Sequence, residues 1–147
     1  MPTNGKLQIF VDAAQSCAMQ MLGNATYIQA EMPSLTLPEG MREQLGTLCD
    51  RLTATKHDVI SELFELSQAS ESSTPTAEIK MRVARITQWL WETMLEMNEV
   101  VQSLQTASEA DTQFFGSWLL VVESAPHILE PFNRTSEAAD ALLLSEP

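Results

Sequence analysis

Apolar residues recur along this chain at alternating steps of three and four, with polar residues between them. The first such stripe is Leu7, Phe10, Ala14, Cys17, Met21 and Ile28. This spacing returns to one side of a helix at each turn and predicts an amphipathic helix over about Lys6–Glu31. Thr3 or Asn4 is placed to cap it. Asn24 interrupts the stripe where an apolar residue is expected, which reads as a helix edge or a polar contact with a neighbour. Pro33 and Pro38 then end the segment, because proline lacks the N–H that a helix interior needs.

A second stripe, Met41, Leu45, Leu48, Leu52, Val59, Leu63 and Leu66, predicts a helix over about Glu39–Ser67. It thins at Thr53-Ala54-Thr55, where a bend is expected. Residues 68–76 are polar and low in complexity and read as a flexible loop. Thr74-Pro75 starts the third helix, with Thr as N-cap and Pro at the first helical position, and it runs to about Thr106. Ser108-Glu109-Ala110-Asp111 resembles a capping box ahead of a fourth segment, about Glu109–Ser124. That segment is apolar on nearly every side (Phe114, Phe115, Trp118, Leu119, Leu120, Val121, Val122), the pattern expected of a central helix. Pro126 and Pro131 break the chain after it, and a short last helix is expected over about Ser136–Leu144. Residues 145–147 form an acidic tail. The expected fold is all-α, one antiparallel bundle of four long helices spanning residues 1–147 with a short C-terminal helix.

Charge is spread unevenly over this frame. Residues 1–86 carry seven bases against ten acids, and residues 87–147 carry one base against ten acids, within a net charge of −12. An acidic surface repels nucleic acid and anionic membrane and attracts basic surfaces. The basic cluster Lys80, Arg82 and Arg85 is expected to pair locally, with Glu78 or with acids of another helix. No apolar run reaches the ~20 residues of a membrane span, and the N-terminus has no signal-peptide pattern, so a cytoplasmic protein is expected.

Little in the chain is suited to catalysis. Cys17 and Cys49 fall on apolar helix faces as buried thiols, without a zinc-binding spacing. His57 is borne on the second helix and in that resembles a histidine phosphotransfer domain. Such domains place small residues around the His and close with a glycine, whereas Val59-Ile60 follows here. His127 lies four residues after Glu123, with Pro126 expected to spoil their shared geometry for a metal. No Glu-x-x-His pair, phosphate loop or nucleophile elbow occurs. No enzyme activity, metal or cofactor is expected.

The third helix carries the most specific signal. At ~100° per residue its apolar stripe spans roughly 60°, with Arg85, Glu92, Glu96 and Glu99 opposite as a solvated face. Trp89 and Trp91 fall on the two flanks. An aromatic anchor beside acids suits a basic, amphipathic protein partner, and Met81 and Met94 would widen such a surface. The expected partner-binding residues are therefore Trp89, Trp91, Glu92, Glu96 and Glu99. The expected function is an acidic protein-binding module of inhibitor, immunity-protein, secretion-chaperone or adaptor type. Two other readings fit the stripes: a self-assembling subunit, including a homodimer, and a bundle that binds a small molecule or lipid.

Overall fold

A computed structural model describes residues 2–71 and 76–144, all-α among those residues. The elements are α1 (Pro2–Glu31), α2 (Met41–Glu71), α3 (Thr76–Ala110), α4 (Phe115–Ser124) and α5 (Pro126–Leu143). Short 3-10 turns at Met32–Ser34 and Thr112–Phe114 follow α1 and precede α4. The helices α1, α2, α3 and the pair α4–α5 form an antiparallel bundle of four, in which α1 and α3 each pack between α2 and α4–α5.

The pair α4–α5 behaves as one interrupted helix. Ala125, the single residue between them, keeps helical angles (φ −59, ψ −42). Pro126 has no N–H to offer the preceding turn. The amides of Ile128 and Leu129 both donate to the Ala125 carbonyl, each at 3.1 Å. The Ser124 carbonyl then takes its donor from another helix, the Asn24 side-chain amide of α1, at 2.8 Å. Asn24 is only 5% exposed. The polar break in the first stripe thus supplies a donor to a carbonyl at the interruption, as every buried carbonyl requires.

The structure corrects several expectations. α2 starts at Met41 rather than Glu39, because Gly40 takes φ +82, a left-handed angle that suits glycine and lies outside a helix. α2 continues through residues 68–71, so the expected loop shrinks. The cap at Thr74-Pro75, the capping side chains of Thr3 and Asn4, and the tail 145–147 lie outside the described residues. No bend is needed at Thr53–Thr55. The stripe thins there because Thr55 and Thr93 meet across α2 and α3, oxygen to oxygen at 2.7 Å. Thr93 donates to the Trp89 carbonyl at 3.0 Å, which leaves Thr55 as donor to Thr93. α3 runs on to Ala110, and Ser108 donates to the Gln105 carbonyl within it. Asp111 instead caps the 3-10 turn, accepting from the Gln113 amide at 3.1 Å. Pro126 and Pro131 do not end the helical structure, since α5 begins at one and contains the other.

The apolar fourth segment is not central. Fully buried stripes belong instead to the long helices, as in α1 with Phe10, Ala14, Cys17, Met21 and Ile28. α4 buries Ser117, Val121 and Ser124, while Phe115 and Leu119 face outward. A helix apolar on every side is therefore covered here on one side only. The connection between α1 and α2 is pinned at two points. Arg42 donates to the carbonyls of Met32 and Leu35, and Ser117 donates to that of Thr36. Among the described residues no helix is long and apolar enough to cross a membrane.

Candidate functional site

The acids of α3 face α2 rather than open solvent alone. Arg51 of α2 lies 3.8 Å from Glu92 and 3.8 Å from Glu96, and Gln88 donates to Glu92 at 3.0 Å. These pairs are half exposed and of modest strength. The solvated face expected of Glu92 and Glu96 is thus partly an inter-helix contact, as it is for Arg85, which lies 3.7 Å from Glu62. Trp89 sits beside them, half buried, in a recess of about 180 Å³ shared with Arg51, Thr55, Asp58 and Glu92.

Further along the same seam, α2 and α3 diverge to leave an open cleft of about 630 Å³. Glu43 lines it from α2, and Glu96 and Glu99 line it from α3. Leu48 and Val100 give it apolar surface, Gln44, Thr47 and Ser103 supply neutral polar groups, and Gly40 sits at the helix start. Gly40 takes a left-handed turn there, with open space around its Cα. Antiparallel packing explains the assembly, because it brings the first turns of α2 against the second half of α3.

No family model, curated protein or solved structure matches the chain. The site is therefore read from its own residues.

The five expected residues do not share one surface. Trp89, Glu92, Glu96 and Glu99 gather on the α2 side. Trp91 stands on the opposite flank of α3, 46% exposed and stacked on Phe132 of α5 with ring centroids 5.8 Å apart. Met94 also turns to that flank, where a second cleft of about 270 Å³ opens at the Pro126 interruption. Its walls are almost wholly apolar, from Met94, Met97, Val101, Val122, Ile128 and Leu129. Met81 is exposed and lines neither cleft. Glu43 and Arg51 escaped the sequence reading. Their part depends on which helix lies beside α3, and no spacing within one helix carries that.

The remaining chemistry-bearing groups are accounted for locally. Arg82 bridges α2 and α3, 2.8 Å from Glu62 and 3.3 Å from Glu65, with Glu78 at 3.4 Å on its own helix. Its hydrogen bond to Glu65, with further help from Glu62 and Glu78, holds the guanidinium above its ordinary range against the effect of desolvation. Glu123 and His127 stand on the same side of the interrupted helix. Both line a cleft of about 410 Å³ with Gln20 and Tyr27 of α1. Among the described residues no group of three or more His, Cys, Asp and Glu side chains is arranged to hold a metal ion. Cys17 and Cys49 are fully buried. Burial pushes the Cys17 thiol up to about 12, and burial followed by the charge of Asp50 pushes Cys49 up to about 11. A thiol held protonated in this way is a poor nucleophile.

Proposed function

We propose that this chain is a noncatalytic protein-binding module of inhibitor, immunity-protein, chaperone or adaptor type. It captures a basic, amphipathic segment of another protein in the cleft between α2 and α3. The observation that carries the reading is the composition of that cleft: three carboxylates, Glu43, Glu96 and Glu99, around apolar surface from Leu48 and Val100. Lys or Arg side chains of a helical segment would meet the acids while its apolar face covers the floor. At physiological salt the screening length is about 8 Å, so acids gathered in one cleft act together on a bound base. Trp89 beside the cleft supplies a further aromatic surface, the residue type that most often anchors an interface. The wider negative charge of the chain would steer a basic partner toward it.

Affinity capture from the cell's own extract at low salt tests the reading. The wild-type chain should enrich a basic partner that is released as salt rises, and Glu96→Lys/Glu99→Lys should lose it. Equal recovery by the charge-reversed chain, or recovery indifferent to salt, would exclude the cleft as the binding site.

A further inference from the structure

On the flank of α3 that faces away from this cleft, α3 and α4–α5 enclose the recess of about 270 Å³ at Pro126. Met94 and Val101 wall it from α3, and Val122, Ile128 and Leu129 wall it from the interrupted helix. Ala125, at the interruption itself, contributes only a methyl group to the lining. The one polar side chain in that lining is Asn98, which is exposed. Concave, mostly apolar recesses with one or a few polar groups are how proteins hold small molecules. The volume falls just below the roughly 300–1,000 Å³ of sites for drug-sized ligands, which suits a short apolar body.

Charge around the recess selects among apolar molecules. Glu99, Glu123 and Glu130 each directly follow a lining residue, namely Asn98, Val122 and Leu129. One step along a helix turns ~100°, which carries each acid from the recess wall to the exposed outer side of its helix. No Lys or Arg lines the recess. The bases nearby in sequence are Arg134, one turn beyond Glu130, and His127, which shares a cleft with Glu123 on the α1 side. Three carboxylates against one permanent cation leave this border negative. A carboxylate or phosphate headgroup would find no basic partner in the lining, and the chain's net charge of −12 repels it. A protonated amine would meet the acids while its apolar tail enters the recess.

We propose that the recess at Pro126 binds a small amphiphilic amine. Its alkyl chain lies between Met94, Val101, Val122 and Leu129, and its ammonium group is drawn to Glu99, Glu123 and Glu130. Burial of the chain supplies most of the affinity, about fourfold for each methylene until the recess is full. The acids add a smaller preference for the amine that salt screens. The site is separate from partner capture in the α2/α3 cleft, although Glu99 borders both.

Isothermal titration calorimetry of the full chain with linear alkylamines of increasing length, each below its micelle concentration at neutral pH, tests this. Binding should saturate at one amine per chain, tighten about fourfold per methylene and then level off. The alkanol of equal length should bind about two- to fivefold more weakly and the alkanoate more weakly still, with both differences shrinking as salt rises. Glu123→Gln/Glu130→Gln should bring the amine toward the alkanol. Leu129→Gln, at a position 46% exposed, should weaken every probe by about tenfold with melting unchanged. Phe64→Gln, at a position of α2 that is 66% exposed, should change nothing. Many weak sites, an alkanoate bound as well as the amine, or Leu129→Gln binding like wild type overturns the proposal. So does a chain that closes the recess by self-association, seen as a dimer in sedimentation that takes up no amine. Glu43→Lys/Glu96→Lys reverses two acids of the α2/α3 cleft and none of the three beside the recess, so it should still bind the amine. Failure of this site and failure of partner capture are thereby told apart.

Discussion

Replacing Asn24 by Ala removes the hydrogen bond by which α1 serves the Ser124 carbonyl at the break in the interrupted helix. The Asn24 amide donates to the Ser124 carbonyl at 2.8 Å, and both residues are buried. The Ile128 amide that would serve this carbonyl in a regular helix is turned to Ala125. Without Asn24 the carbonyl loses its donor, and a buried polar group left unpaired costs about 1–3 kcal/mol. For a chain of this size that is a fall in Tm of roughly 3–10 °C. Urea unfolding followed by circular dichroism measures it, with the midpoint falling and the slope unchanged. Asn24→Asp sharpens the test, since it keeps the shape but sets a carboxylate against a carbonyl oxygen. Its folded-state pKa is raised above the unfolded value of about 3.9. Above the folded pKa both states are ionised and the full penalty applies. As pH falls through the folded pKa the loss shrinks, and below about 3.9 both states hold the proton, which can donate to Ser124. A loss under about 0.5 kcal/mol for Asn24→Ala, or an Asn24→Asp variant whose deficit does not shrink on acidification, would refute the role assigned to this contact.

Other parts of the structure give further expectations. Thr93→Val should cost about 1–2 kcal/mol by leaving the Thr55 hydroxyl buried without its partner, and Thr55→Val/Thr93→Val should recover part of that loss; strictly additive losses in a double-mutant cycle would contradict the pairing. Cys17 and Cys49 should resist thiol reagents in the native state and react only as the chain unfolds, which timed labelling in increasing urea would show. With thiols pushed up to about 12 and about 11, the folded chain holds protons that the unfolded chain releases above about pH 8.5, so stability should decline as pH rises beyond that point. Cys17→Ala should flatten this alkaline decline, and a parallel decline in the variant would count against it. Arg51→Ala should change stability by less than about 1 kcal/mol, because its pairs with Glu92 and Glu96 are exposed; a larger loss on urea unfolding would show that the α2/α3 seam depends on them.

The stripes of three and four residues carried the helices because burial on one side is a property of a single helix. Leu45, Leu52 and Val59 in α2, and Val83, Ile86 and Leu90 in α3, lie where periodicity placed them. The ends were harder to read. Gly40 sets the start of α2 through a backbone angle, and Pro126 interrupts a helix that apolar packing sustains on both sides of it. Apolar content around α4 did not distinguish a central helix from one with an uncovered face, since both patterns read alike in one dimension. The site was legible only in part. Glu92, Glu96 and Glu99 share a side with Trp89 because one helix carries them all. Glu43 and Arg51 join them only through the antiparallel pairing of α2 with α3, and the same pairing separates Trp91 from the group.

Amide chemical-shift mapping of the labelled chain, titrated with a Lys- and Leu-rich amphipathic helical peptide, tests the acidic cleft most directly. Saturable shifts should concentrate at Gly40, Gln44, Thr47, Glu96, Glu99 and Ser103, weakening with salt and lost in Glu96→Lys/Glu99→Lys. Shifts scattered in proportion to surface acidity, reaching Glu137 and Asp140 as strongly as Glu99, would contradict it.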